Sequence, residues 1–340
     1  MKRILLALIL LHVCLALSAQ DMGVINNEAR HFRIKTRDDD IDFIKLDTSL
    51  SAVKPVLLFL QGSLPLPLFF TSNTGKIYMI GGGISNFNYK EIQQEYHIIV
   101  ISMPKTPVLV SESNLNPSYC YVPDSSRADQ FDPEYVKADY LDNYVLRANR
   151  VIRFLKKQPW VAKTKFVLAG HSQGTKVAAK VALQNKNITH LGLFAANPFG
   201  RVDQFIRQFR KQAENGELTW EEAGAKMENY YQYYQLVNTP DSLRGNPEYL
   251  AWKTFSEIFY DDWLKLDIPL YLAYGTSDIT ADLCDLVPLF FIQEGKNNLT
   301  LKRYPRLDHN FFEVNADGQP DYNKGNWKEV MHAFLEWTDK

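Results

Sequence analysis

Lys165-Phe166-Val167-Leu168-Ala169-Gly170-His171-Ser172-Gln173-Gly174 joins a compact apolar run to a Gly-x-Ser-x-Gly string, and a helical pattern of Val177, Ala178, Val181 and Ala182 begins at once. An apolar run that turns directly into a helix requires a sharp bend, and glycines on both sides of it let neighbouring backbone approach closely. Such a bend lifts the Ser172 hydroxyl out of a sheet and sets it at a helix N-terminus, where free N–H groups favour developing negative charge.

Outward from that stretch, further dense apolar runs lie at 55–60, 97–102, 188–196, 268–274 and 299–304. Continuous rather than alternating apolar strands fit a parallel sheet buried on both faces. Helical stripes fall between them: Leu141, Tyr144, Val145, Ala148, Ile152 and Leu155 within 140–157, and a closing helix over 327–337. Strands alternating with helices predict an α/β fold, a mostly parallel central sheet flanked by helices. Ahead of it, two short alternating stretches within 29–46 flank Asp38-Asp39-Asp40 and predict a hairpin with a solvated acidic turn.

Two insertions interrupt the alternation. Residues 103–133 are rich in Pro, Ser and Asn and read as a long loop. Residues 201–265 read as a helical cap with 13 aromatics in 65 residues, most of them expected to pack the insertion against itself. The implied organisation is a leader over 1–20, a core of 21–200 and 266–340, and a cap of 201–265.

The leader follows from Met1-Lys2-Arg3, an apolar run from Ile4 to Leu17, and the small residues Ser18 and Ala19, the three parts of a secretory signal peptide. Cleavage is expected just before Gln20. The apolar run is short of the roughly 20 residues that span a bilayer. Val13 argues against lipid attachment at Cys14. The expected product is a soluble, secreted or periplasmic protein with no stable membrane insertion.

The 340-residue chain is 46% hydrophobic and carries 38 Lys and Arg against 39 Asp and Glu, with no basic concentration. Nucleic acid is therefore not an expected partner. Three cysteines without a Cys-x-x-Cys pair give neither a disulfide scaffold nor a structural zinc site. No metal or cofactor is expected. Cys120 and Cys284 would remain after export, as a disulfide or as two buried thiols.

A serine hydroxyl becomes nucleophilic only with a base in reach and a group to orient that base. Asp278 follows the run at 268–274 and His309 follows that at 299–304, so both fall, like Ser172, beyond the carboxyl end of a predicted strand. His171, His97, His190 and His332 are alternatives for the base, and Asp282, Asp285 and Asp308 for the acid.

On these residues the chain resembles an exported serine hydrolase of the α/β-hydrolase fold, over about residues 50–340, with the order Ser, Asp, His. The resemblance implies Ser172 as nucleophile, His309 as base and Asp278 as orienting acid. It also implies an oxyanion hole from the backbone N–H groups of Gln173 and of Ser63 in Gln61-Gly62-Ser63, with Gly81-Gly82-Gly83 as the second candidate for the latter. Gln61 stands where many relatives carry His. Near-neutral charge and an aromatic cap suggest a small, uncharged, partly apolar carboxylic ester. A peptidase that binds an amino terminus through Glu221, Glu222, Asp261 or Asp262 is the alternative, followed by a non-catalytic binding protein. Oligomeric state is open.

Overall fold

The computed structural model describes residues 19–37 and 39–340, so the leader reading over 1–18 and Cys14 lie outside the described residues. In chain order the strands are β1 (Ala19–Ile25), β2 (Ala29–Ile34), β3 (Ile41–Leu46), β4 (Lys54–Leu60), β5 (Phe69–Thr71), β6 (Ile77–Met79), β7 (His97–Ile101) and β8 (Leu109–Ser111). They continue as β9 (Val161–His171), β10 (His190–Phe194), β11 (Leu270–Gly275), β12 (Leu299–Tyr304), β13 (Phe312–Val314) and β14 (Pro320–Gly325).

Nine strands form one sheet in the order β1-β2-β3-β7-β4-β9-β10-β11-β12. From β7 to β12 every pairing is parallel, while β1, β2 and β3 extend one edge antiparallel. Successive residues of a strand point to opposite faces, and in β4 both faces are apolar. Val56, Leu58 and Leu60 pack with the helices Leu141–Leu155 and Gln173–Gln184 on one side. Leu57 and Phe59 pack with Tyr89–Glu95 and Trp327–Thr338 on the other. That two-sided burial is why the strands read as unbroken apolar runs, and it makes the fold the expected α/β class.

The hairpin β2–β3 forms as expected, but its acidic turn is not merely solvated. Asp39 pairs with Arg147, a guanidinium only 2% exposed, and with Lys105 at 3.4 Å. Strand β1 carries no burial signal in the sequence, because it is an exposed edge strand whose Met22 and Val24 face solvent. The loop 103–133 contains β8, which joins β5 and β6 in a small sheet. Residues 201–265 fold as helices Arg201–Glu214, Trp220–Val237, Pro240–Gly245, Pro247–Thr254 and Tyr260–Leu264. Phe205, Tyr230, Tyr233 and Trp252 make ring contacts with one another there, whereas Phe255, Phe259 and Trp263 pack into the main core. Cys120 and Cys284 are buried and unpaired, the second of the two alternatives. No helix among the described residues is long and apolar enough to cross a membrane.

Candidate active site

Ser172 sits between β9 and the helix Gln173–Gln184 with φ 52° and ψ −120°, a conformation that non-glycine residues rarely adopt. Its flanking glycines hold it there by allowing backbone contact. A Cβ at Gly170 would stand 2.3 Å from the Gly174 carbonyl oxygen, and one at Gly174 would stand 2.2 Å from that of Leu60. Any larger residue would force β4 and its following turn away from the serine.

His309 comes from the loop after β12. Its Nε2 lies 2.8 Å from Ser172 Oγ and its Nδ1 2.7 Å from Asp278 Oδ2. A carboxylate only accepts, so the proton between them resides on Nδ1 and leaves Nε2 to accept from the serine hydroxyl. Thr280 fixes the acid by donating to Asp278 Oδ1 from its backbone N–H at 2.9 Å and its hydroxyl at 2.8 Å. The acid and histidine loops are stitched together by Thr276 N–H to Tyr304 O and Ser277 N–H to Leu307 O, both 2.9 Å. Gly275 permits this, since a Cβ there would meet the Leu307 oxygen at 2.2 Å.

Electrostatics follow the geometry. Burial opposes charge on His309, but the adjoining Asp278 carboxylate outweighs it and raises the imidazole above its ordinary 6.5. Burial likewise opposes ionisation of Asp278, yet His309 and the two Thr280 donors bring its carboxyl below the ordinary value. Desolvation, with the neighbouring His309, pulls the part-buried His171 down to about 3, so it stays neutral.

The alternatives for base and acid are engaged elsewhere. His171 bonds the His309 carbonyl oxygen at 3.0 Å, His97 those of Ala52 and Trp160, His190 the Thr189 hydroxyl, and His332 pairs with Glu336. Asp282 pairs with Arg207 and Asp285 with Arg303, while Asp308 accepts the N–H groups of Asn310 and Phe312.

Two cavities open on the Ser172–His309 pair, one of about 220 Å³ and one of about 780 Å³, and Ser63 lines both. Gln173 lines the smaller, and its N–H, at the first helical position, has no carbonyl four residues back within the helix. The Ser63 N–H enters no hydrogen bond among the described residues. Gly82 and Gly83 reach only the larger cavity, where Gly82 lies against the Gln61 side chain. Gln61 in turn donates to the Ile101 carbonyl oxygen at 3.0 Å.

Two cations that the sequence alone does not mark as site residues, Arg201 and Lys176, line the smaller cavity. Arg201 donates to Gln173 Oε1, and Lys176 donates to the Phe255 carbonyl oxygen at 2.6 Å. Lys176 stands four residues after Ser172, one helical turn on, which places it on the serine's side of the helix. That spacing was the one signal available. The four acidic cap residues of the peptidase alternative line neither cavity. Glu222 caps its own helix through Thr219, and Asp262 pairs with Lys180 and Lys265.

No protein-family model matches the chain, and no curated protein matches it. Among solved structures, the acylaminoacyl peptidase of Pyrococcus horikoshii in its orthorhombic crystal form aligns at TM-score 0.50 and 13% identity, over 91% of this chain and 41% of that chain. The uncomplexed form of the same protein aligns at TM-score 0.51 and 13% identity, over 90% of this chain and 41% of that one. The chain thus spans about two fifths of the length of these matches. Six adjacent parallel strands, helices on both faces and a strand-to-helix bend at Ser172 agree with that likeness. The chain has the α/β-hydrolase fold.

Proposed function

We propose that the protein is a serine hydrolase that cleaves a carboxylic ester through an acyl-enzyme. The observation that carries this reading is the unbroken line from Ser172 Oγ through His309 to Asp278, at 2.8 and 2.7 Å. Ser172 Oγ attacks the ester carbonyl as its proton passes to His309 Nε2. The tetrahedral oxyanion faces the N–H groups of Gln173 and Ser63. The imidazolium, stabilised by Asp278, then gives that proton to the departing alkoxide, leaving the acyl group on Ser172. Water, deprotonated by His309 in its turn, releases the acid and restores the serine.

An ester is favoured over a peptide with a free amino terminus because no carboxylate lines either cavity to pair with an ammonium group, while Arg201 and Lys176 in the smaller one would repel it. The reading includes export, with cleavage before Gln20 leaving most of β1 to pair with β2. The test compares short-chain 4-nitrophenyl esters with aminoacyl 4-nitroanilides on purified protein. Ester hydrolysis lost in Ser172→Ala is the expected result. Preferential anilide cleavage would favour the peptidase, and no turnover of either by folded protein would contradict the proposal.

A further inference from the structure

The two cavities that meet at Ser172 differ in chemistry. Phe70, Tyr78, Tyr119, Phe312, Tyr322 and Trp327 wall the larger one. The smaller contains Arg201 and Lys176 among Gln173, Gln204 and Asn197, with Phe255 as its aromatic wall. Its volume of about 220 Å³ is below the roughly 300–1,000 Å³ of sites for drug-sized ligands, so it takes a short group.

Neither cation forms an ion pair with a carboxylate among the described residues. The Arg201 guanidinium rests against the rings of Trp252 and Phe255, with centroids 5.4 and 5.1 Å away. These ring contacts consume none of its N–H groups, and of its five donors one goes to Gln173. Lys176 lies 4.7 Å from the centroid of the Phe259 ring. Burial, with Arg201 nearby, brings its ammonium down to about 7, against the longer-range pull of Asp203 and Glu257. The carboxylates near the pair are engaged elsewhere. Asp139 accepts from Tyr144 at 2.8 Å and Gln173 at 3.4 Å, Asp203 pairs with Arg207 at 2.9 Å, and Glu257 pairs with Lys180 at 2.9 Å. Lys176 is buried and Arg201 part-buried, and each feels carboxylates only at longer range, Asp139 in the case of Arg201, so a ligand that brings an anion into direct contact gains strong charge-assisted hydrogen bonds.

We propose that the part of the substrate entering the smaller cavity carries a carboxylate or similar anionic group held by Arg201 and Lys176, while the larger cavity takes an apolar part. The substrate is then an amphipathic ester with a short acidic end. This rests on the serine-hydrolase reading above, and it replaces the uncharged ester suggested by overall charge and aromatic content. Of the aromatics of 201–265, Phe205, Phe209, Tyr230, Tyr233, Tyr249 and Trp252 pack on one another, Phe259 and Trp263 join the main core, and Phe255 is the one that lines this cavity.

The test measures kcat/KM for isosteric pairs. In one series 4-nitrophenyl hydrogen glutarate is compared with the 4-nitrophenyl ester of glutaramic acid, which puts the charge on the acyl side. In the other, 4-acetoxybenzoate is compared with 4-acetoxybenzamide, which puts it on the leaving group. A preference for the anion of about ten-fold or more in either series is expected, the scale of one hydrogen bond to a charged group. Parity or preference for the amide in both would overturn the proposal. Arg201→Met should bring the ratio close to one, and a ratio kept by a variant that still reacts with a fluorophosphonate would also overturn it. Should that variant fail to fold, Gln204→Glu places a carboxylate in the same cavity and should lower the same ratio. If the wild type hydrolyses none of these esters, the serine-hydrolase reading fails separately. Calorimetric titration with glutarate against glutaramide then decides the anion site: selective glutarate binding sustains it and no selectivity ends it.

Discussion

The His171 imidazole donates from Nε2 to the backbone carbonyl of His309 across 3.0 Å, so the residue preceding the serine also positions the residue that would activate it. Neutral and protonated imidazole alike can present an N–H at Nε2, so protonation of His171 would not break this bond. His171→Ala removes the support from the His309 loop and should lower kcat about ten-fold while changing KM less, the signature of a misplaced rather than a missing group. The acid limb of the pH profile should stay in place, since no charge is lost. Unchanged kcat in a folded variant would show that the bond has no positioning role.

The neutral form of His309 is the base, so protonation removes the acceptor for the Ser172 proton. Its pKa is raised by Asp278, and kcat/KM on a slow ester should therefore fall, as pH decreases, through a midpoint above 6.5. Asp278→Asn should cost about 10⁴-fold in kcat and shift the residual limb to lower pH, because the charge that raised the imidazole is gone. A profile flat down to pH 5 would contradict this assignment of the base.

Gly174 lies against the backbone at the end of β4, with the Leu60 and Gln61 carbonyl oxygens 2.2 and 2.5 Å from where a Cβ would stand. Neither is the movable end of a side chain. Gly174→Ala should destabilise the protein by about 1–3 kcal/mol or more and displace the turn carrying Ser63. Denaturant midpoints and ester turnover check the two consequences, and a variant unchanged in both would refute the tight approach.

Arg147 is buried and takes its counter-charge from Asp39. Asp39→Ala leaves the guanidinium with neutral partners, chiefly the Ser102 carbonyl oxygen at 3.0 Å, and should cost about 3 kcal/mol. Arg147→Met in the same chain should recover much of that loss, because the buried charge disappears with its partner. Chemical denaturation of the single and double variants measures it. Additive losses would mean that the pair is not coupled.

What was legible in the sequence was local or periodic. The run at 165–169 with its Gly-x-Ser-x-Gly string places the bend, because steric demands at a strand-to-helix turn are written in adjacent residues. Asp278 and His309 are legible as candidates because catalytic groups in parallel sheets gather beyond strand ends, while the choice of Asp278 over Asp282, Asp285 and Asp308 rests on the resemblance. Arg201 and Lys176 were not legible as cavity residues. Their settings come from Trp252, Phe255 and Phe259, dozens of residues away, and the Lys176 stem reads as part of an ordinary amphipathic helix. Asp39 looked like one acid in a polar turn for the same reason, since its partner Arg147 lies 108 residues on.

The central claim is that Ser172 is a nucleophile activated by His309. A fluorophosphonate reacts rapidly with a serine so activated and slowly with ordinary hydroxyls, and mass spectrometry of the digested protein locates the adduct. The expected result is a single adduct on the peptide containing Ser172, formed rapidly by the wild type, absent from Ser172→Ala and strongly slowed in His309→Ala. A folded wild-type protein that remains unmodified, or one modified at another residue, would contradict it.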